Sequence, residues 1–181
     1  MTKVLHVLCV LLAACPAALA EVRQADGSSG RLEFSALQAG ATFTGAFKRF
    51  QVKLDFDPSN TAQGNLDVTV ETPSIDTQDT ERDEILRSRD FFWTEQHPQA
   101  VFHAARFEPD GAGWRAPGEL TIRGVKQPAV VHFTLALAGA ATAMKGSASL
   151  HRLAFGLGQG DWASTEWVGD EVEVRFELTL R

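Results

Sequence analysis

Both cysteines of this 181-residue chain, Cys9 and Cys15, lie within its first fifteen residues. Beyond them there is no thiol, which excludes thiol catalysis, Cys-based metal sites and any disulfide within the rest of the chain. Tyrosine is absent too, so an aromatic interior has to be built mainly from the 12 phenylalanines and is nearly free of hydroxyl anchors. After residue 20 no apolar run is long enough to cross a bilayer. There is no Gly-x-Ser-x-Gly elbow, no phosphate-cradling loop and no dinucleotide fingerprint. His97, His103, His132 and His151 form neither a His-x-x-x-His nor a Glu-x-x-His pair, so no metal site is read from them. Basic residues are outnumbered, 17 Lys and Arg against 23 Asp and Glu, for a net charge of −6. That balance argues for solubility and against nucleic acid or an anionic membrane surface as main partner.

The first twenty residues differ from the rest. Lys3, the apolar run Val4 to Leu12, Pro16 and the small-x-small end Ala18-Leu19-Ala20 are read as a secretory signal peptide, with residues 21–181 as a single exported domain. Periplasmic release after Ala20 is one reading. The other treats Leu12-Ala13-Ala14-Cys15 as a lipobox, with the chain anchored through Cys15. About 160 residues then remain, enough to bury a core without disulfides.

What that domain has in plenty is alternation. Val172, Val174, Phe176, Leu178 and Leu180 alternate with polar residues, as do Phe50, Val52, Leu54 and Phe56, and Leu66, Val68 and Val70. Val131, Phe133, Leu135 and Leu137 share another face. Less regular strands are expected at 32–37, 100–107, 114–123 and 142–153. The apolar phase shifts from odd (Phe43, Phe47) to even (Phe50), which predicts a bulge or bend near Lys48 and Arg49. Turns are expected at Asp57-Pro58-Ser59-Asn60, Pro109-Asp110-Gly111 and Lys126-Gln127-Pro128. The sum is an all-β fold: about eight antiparallel strands, closed into one barrel that side chains can fill or that can hold one ligand. One segment departs from it. Asp79 or Thr80 can cap a short helix running to about Arg89, with Asp83 placed to pair with Arg87. Phe91, Phe92 and Trp93 follow, and three consecutive aromatics cannot all face one way. Asp76, Asp79, Asp83 and Asp90 are read as helix-start and turn acids rather than a catalytic carboxylate pair. Gly156 to Gly160 is read as a flexible loop, with Trp162 and Trp167 as either packing anchors or covers for a barrel mouth.

Ser74-Ile75-Asp76-Thr77, Arg82-Asp83, Leu86-Arg87-Ser88 with Asp90-Phe91-Phe92, Pro98 and Phe102, then Gly118 to Lys126, then Arg152 with Phe155-Gly156, together resemble the YceI-like family over nearly the whole domain. The stretch from Gly156 through Val172 resembles a subgroup sometimes fused to a di-haem membrane b-type cytochrome. One departure is plain: Ser28-Ser29-Gly30-Arg31 precedes Phe34, and Gln38 and Gly40 stand where family histidines are expected, so no contact made by those histidines carries over. The resemblance implies a lipocalin-like antiparallel barrel, a lumen for polyisoprenoids such as isoprenoid quinones or prenyl phosphates, and no cofactor.

An isoprenoid tail needs apolar area rather than directed hydrogen bonds, at roughly 0.8 kcal/mol per buried CH₂. The candidate lumen set is Phe34, Phe43, Phe47, Val52, Leu54, Val68, Phe91, Phe92, Phe102, Leu120, Ile122, Phe133, Leu150, Phe155, Trp162, Trp167 and Phe176. Arg82, Arg87 and Arg123 are the candidates to meet a polar or anionic head group. Three functions follow: a periplasmic carrier or store of a long apolar ligand, an accessory protein docking on a membrane b-type cytochrome or other envelope enzyme, and, with least support, an enzyme acting on a lipid head group through Asp83 or Asp90. Pairing into a homodimer stays open.

Overall fold

The computed structural model describes residues 22–138 and 141–181. The expected signal segment, with both of its processing sites, lies outside the described residues. Twelve strands form one antiparallel sheet: β1 (Arg23–Asp26), β2 (Gly30–Gln38), β3 (Ala41–Phe47), β4 (Phe50–Phe56), β5 (Gly64–Glu71), β6 (Ile75–Asp76), β7 (Gln99–Ala104), β8 (Glu108–Asp110), β9 (Gly113–Ile122), β10 (Val125–Ala138), β11 (Ala141–His151) and β12 (Val168–Leu180). Among the described residues a single α-helix, α1 (Thr80–Arg87), interrupts the series.

The count of twelve against the expected eight has a physical cause. β1 and β2 are one long stave bent at residues 27–29, β3 and β4 a second bent at Lys48 and Arg49, and β5 and β6 a third bent through the 3₁₀ turn Thr72–Ser74. The bends stack. A Cβ at Gly27 would collide with the Lys48 carbonyl. The Lys48 N–H donates to the Ser74 carbonyl at 3.1 Å, and the Arg49 N–H to Ser74 Oγ at 3.0 Å. The phase shift at Lys48 and Arg49 is therefore real. β8 is a short addition beside β9. The eight staves close into a barrel because the β1–β2 stave bonds β3 and β4 on one side and β12 on the other. The Gln24 and Arg181 backbones exchange hydrogen bonds of 2.7 and 2.9 Å at the far end of that seam.

The turn expected at Lys126-Gln127-Pro128 is not there. These residues belong to β10, and the chain reverses at Arg123-Gly124, both with left-handed φ (53° and 75°). Pro128 is tolerated in the strand because its nitrogen faces away from β9, on a side where β11 does not reach. The β2–β3 turn, Ala39-Gly40, also has left-handed φ at both positions (50° and 78°), the type I′ pattern that favours Asn-Gly. Ala39 is exposed, so Ala39→Asn is expected to stabilise the protein by about 0.5–1 kcal/mol. A rise in the urea midpoint at unchanged slope would show it.

The interior has two storeys. At one pole Phe56 packs edge-on against Phe107, Trp114 and Phe133, with ring centroids 4.9, 5.0 and 6.0 Å away. Leu54, Ala104 and Ala116 fill the space around them, and Leu66 lies between this storey and the cavity. That pole is solid. The other pole carries the β2–β3 turn, α1, the Arg123-Gly124 turn and the β11–β12 connection, and it is hollow.

Candidate functional site

The inward face of the upper barrel is apolar but incompletely packed. Phe43, Phe47, Val68, Leu120, Leu150, Val172, Val174 and Phe176 all point inward yet are only half-buried. They surround a cavity of about 200 Å³. Among the described residues, every lining side chain is apolar except Arg152.

Of the sequence-derived lumen candidates, Phe34, Phe43, Phe47, Val52, Val68, Phe91, Phe92, Phe102, Leu120, Ile122, Leu150, Phe155 and Phe176 line this cavity. Leu54 and Phe133 do not; they belong to the solid storey, because alternation tells inside from outside but not height along the barrel. Trp162 packs on Phe91 at 5.7 Å from behind the lining. Trp167 is 62 % exposed on the outer rim.

α1 and its flanks form part of the roof. The Asp79 carboxylate accepts from the Arg82 N–H at 3.1 Å and caps the helix. The buried Asp83 carboxylate accepts the Thr77 N–H and hydroxyl at 2.8 and 2.7 Å and meets Arg87 at 3.7 Å. Asp76 accepts the Gln78 N–H and pairs with Lys48. These acids are structural, as their positions in the sequence imply. Beyond the helix, Phe91 and Phe92 turn into the cavity while Trp93, at φ 46°, turns out beneath Arg89, whose guanidinium lies 4.9 Å from the indole.

The head-group candidates all have protein partners. Arg82 donates to Gln38 Oε1 at 3.2 Å and lies over the Phe43 ring at 4.8 Å. Arg87 donates to the Pro73 and Ile75 carbonyls at 3.1 and 2.5 Å. Arg123 donates to the Gly156 carbonyl. The cation that reaches the cavity is one that sequence reasoning did not select. Arg152 is 3 % exposed. It donates to the carbonyls of Gly169 (2.9 Å), Leu157 (2.8 Å), Ser164 (3.1 Å) and Val168 (2.8 Å). Burial pushes its guanidinium below the ordinary arginine value, with the Asp170 carboxylate opposing. The glycine-rich stretch expected to be a flexible loop is instead pinned by these bonds, and by Gly158 and Gln159 N–H groups donating to the Asp90 carbonyl at 2.8 and 2.9 Å.

A closed antiparallel barrel, solid at one pole and hollow and apolar at the other, is the architecture of a lipocalin-like binding protein. The chain belongs to the YceI-like domain family, which it matches over residues 24–180. It is 41 % identical over 91 residues to Protein YceI of Escherichia coli O6:H1, covering 50 % of this chain and 48 % of that protein. It is 37 % identical over 91 residues to a UPF0312 protein of Photorhabdus laumondii, covering 50 % and 47 %. The aligned stretch thus spans about half the length of these curated relatives. Among solved structures, Burkholderia cenocepacia BcnA superposes with a TM-score of 0.81 at 31 % identity, over 86 % of this chain and 98 % of that one. A polyisoprenoid binding domain from Saccharophagus degradans shares the fold, with a TM-score of 0.67 at 13 % identity over 89 % and 99 %.

Proposed function

We propose that this protein is exported to the periplasm and holds a polyisoprenoid, an isoprenoid quinone or a similar long-chain lipid in the barrel cavity, as carrier or store. One observation carries the reading: inward-facing apolar side chains are left half-buried around a cavity whose only charged lining group among the described residues is already spent on backbone carbonyls. A core meant only for stability is packed to crystal-like density, as the opposite pole is. Family membership and the named ligand class of the Saccharophagus domain support the same reading, and the export signal is the sequence's contribution. Native mass spectrometry of the protein from its own periplasm, with lipid analysis of what is released, is expected to show a stoichiometric long-chain adduct. A mass that stays ligand-free after incubation with quinones and polyprenols would remove the proposal.

Docking on a di-haem b-type cytochrome is a second reading, favoured by Leu37, near the end of β2, and Trp167, in the turn just before β12, which are 51 % and 62 % exposed. It requires co-purification with such a cytochrome that Leu37→Ser and Trp167→Ala abolish.

A further inference from the structure

The barrel wall is not hydrogen-bonded along its full height. β10 and β11 pair from Ala138↔Ala141 up to His132↔Ser147, and there the ladder stops. Both strands continue towards the hollow pole. Residues Val125 to Val131 of β10 are bonded to β9 alone, and Ala148 to His151 of β11 to β12 alone. The two-residue turn closing Ile122↔Val125 sets the alternation of peptide groups, so Lys126, Pro128 and Val130 direct theirs to the missing neighbour. Pro128 has no N–H to offer there, which keeps the two edges from zipping together. The seam is bounded below by the last ladder pair and above by two clasps, Gln127 Nε2 donating to the Ala154 carbonyl at 3.0 Å and the Arg123 guanidinium donating to the Gly156 carbonyl. Its inner lips are Ala129, Val131, Ala148 and Leu150, all of which line the cavity.

We propose that this seam is the lateral portal through which the ligand's tail enters and leaves the cavity. The proposal rests on the lipid-binding reading. Along a fully paired wall, a gap breaks ladder hydrogen bonds. Here apolar side-chain contacts and the Gln127 and Arg123 clasps have to part, but no ladder hydrogen bond does. The hollow pole, by contrast, is roofed by Phe91 and Phe92 after α1 and by the stretch from Phe155 to Leu157, which Arg152 and Asp90 hold down. A long tail can be laid in sideways through the seam, whereas an end-on route has to thread it past that roof.

The test bridges the seam. No cysteine follows Cys15, so Val130→Cys with Ser149→Cys places the only thiol pair of the barrel on the two outer lips. The pair is joined by a short, cleavable bis-thiol reagent. Thr134→Cys with Lys145→Cys, register partners within the intact ladder below, is the control. The probe is a long-chain polyprenol in detergent micelles. Bridging the seam is expected to slow loading and release about tenfold or more, an added barrier of about 1.4 kcal/mol or more. Cleaving the bridge restores the rate, and bridging the control changes neither. Gln127→Ala, which removes one of the two clasps, is expected to speed loading several-fold. Loading at the unbridged rate with the seam bridged, or no acceleration in Gln127→Ala, overturns the portal. An unbridged protein that takes up no polyprenol at all overturns the binding reading itself.

Discussion

Val174→Trp is expected to abolish uptake of a long-chain ligand while leaving the barrel folded. Val174 lies on β12, faces inward and lines the cavity midway along the hollow storey. An indole there occupies space that now has no protein atoms, so the usual cost of overpacking, about 1–3 kcal/mol, is largely avoided. The ligand loses that space instead. Excluding about four methylene units at roughly 0.8 kcal/mol each weakens binding by about 3 kcal/mol, or on the order of a hundredfold. The comparison that gives this result meaning is Ala116→Leu in the solid storey. Ala116 is 0 % exposed, has no cavity beside it, and is expected to lose about 1–3 kcal/mol of stability with its larger side chain. Equilibrium titration with a polyprenol and urea denaturation of both variants separate the two effects. Unaltered affinity in Val174→Trp would mean that the ligand does not occupy this cavity.

Arg152→Leu is expected to cost about 3–5 kcal/mol of stability, the largest effect of any single change considered. The loss comes from what the arginine leaves behind. Four backbone carbonyls between Leu157 and Gly169 lose their donor, and each buried carbonyl without a partner costs about 1–3 kcal/mol before relaxation and water entry recover part of it. Lysine is not a substitute: a compact ammonium lacks the flat fork that reaches carbonyls on three sides. Gly158→Ala attacks the same arrangement from the other side, since its Cβ would collide with Arg152 Nη1 at a backbone φ of +95°. Thermal unfolding and hydrogen exchange over residues 152–168 measure both variants. The expected pattern is loss of protection in the roof first, with the solid pole unaffected. Retained stability in Arg152→Leu would show that the roof is held by its apolar contacts alone.

Much of this barrel was legible in the sequence, and the parts that were not share a cause. Period-two alternation identifies strands and their inner faces, which is why β4, β5 and β12 were expected where they lie. The phase change before Phe50 located a bend, and the acidic run after Asp79 located the helix and its cap. Alternation carries no information about position along the barrel axis. Leu54 and Phe133 therefore looked like lumen residues, although the plug at the other pole holds them. Pro128 looked like a turn because proline usually ends a strand; the sequence does not reveal that its neighbour strand diverges just there. Arg152 escaped selection because a lone arginine after a strand is normally solvated, and its four partners are brought together only by the fold. Trp167 carried two open readings and stands on the outer rim.

The stave formed by β1 and β2 closes the wall against β12, pairing Leu32 with Phe176 and Gly30 with Leu178. The first and last long strands of the domain are therefore neighbours, and the barrel's final contacts span nearly its entire sequence. Closing so large a loop is entropically slow, and topologies dominated by such distant pairings fold in milliseconds to seconds. Until residues 168–180 are available, no partial chain can complete the wall. The segments made earlier are left as an open sheet with bare edges, loosely held and easily kept extended. Chain order alone thus gives the polypeptide a long interval before it commits to its final shape, and that interval ends with β12, which follows every other strand of the barrel in the chain.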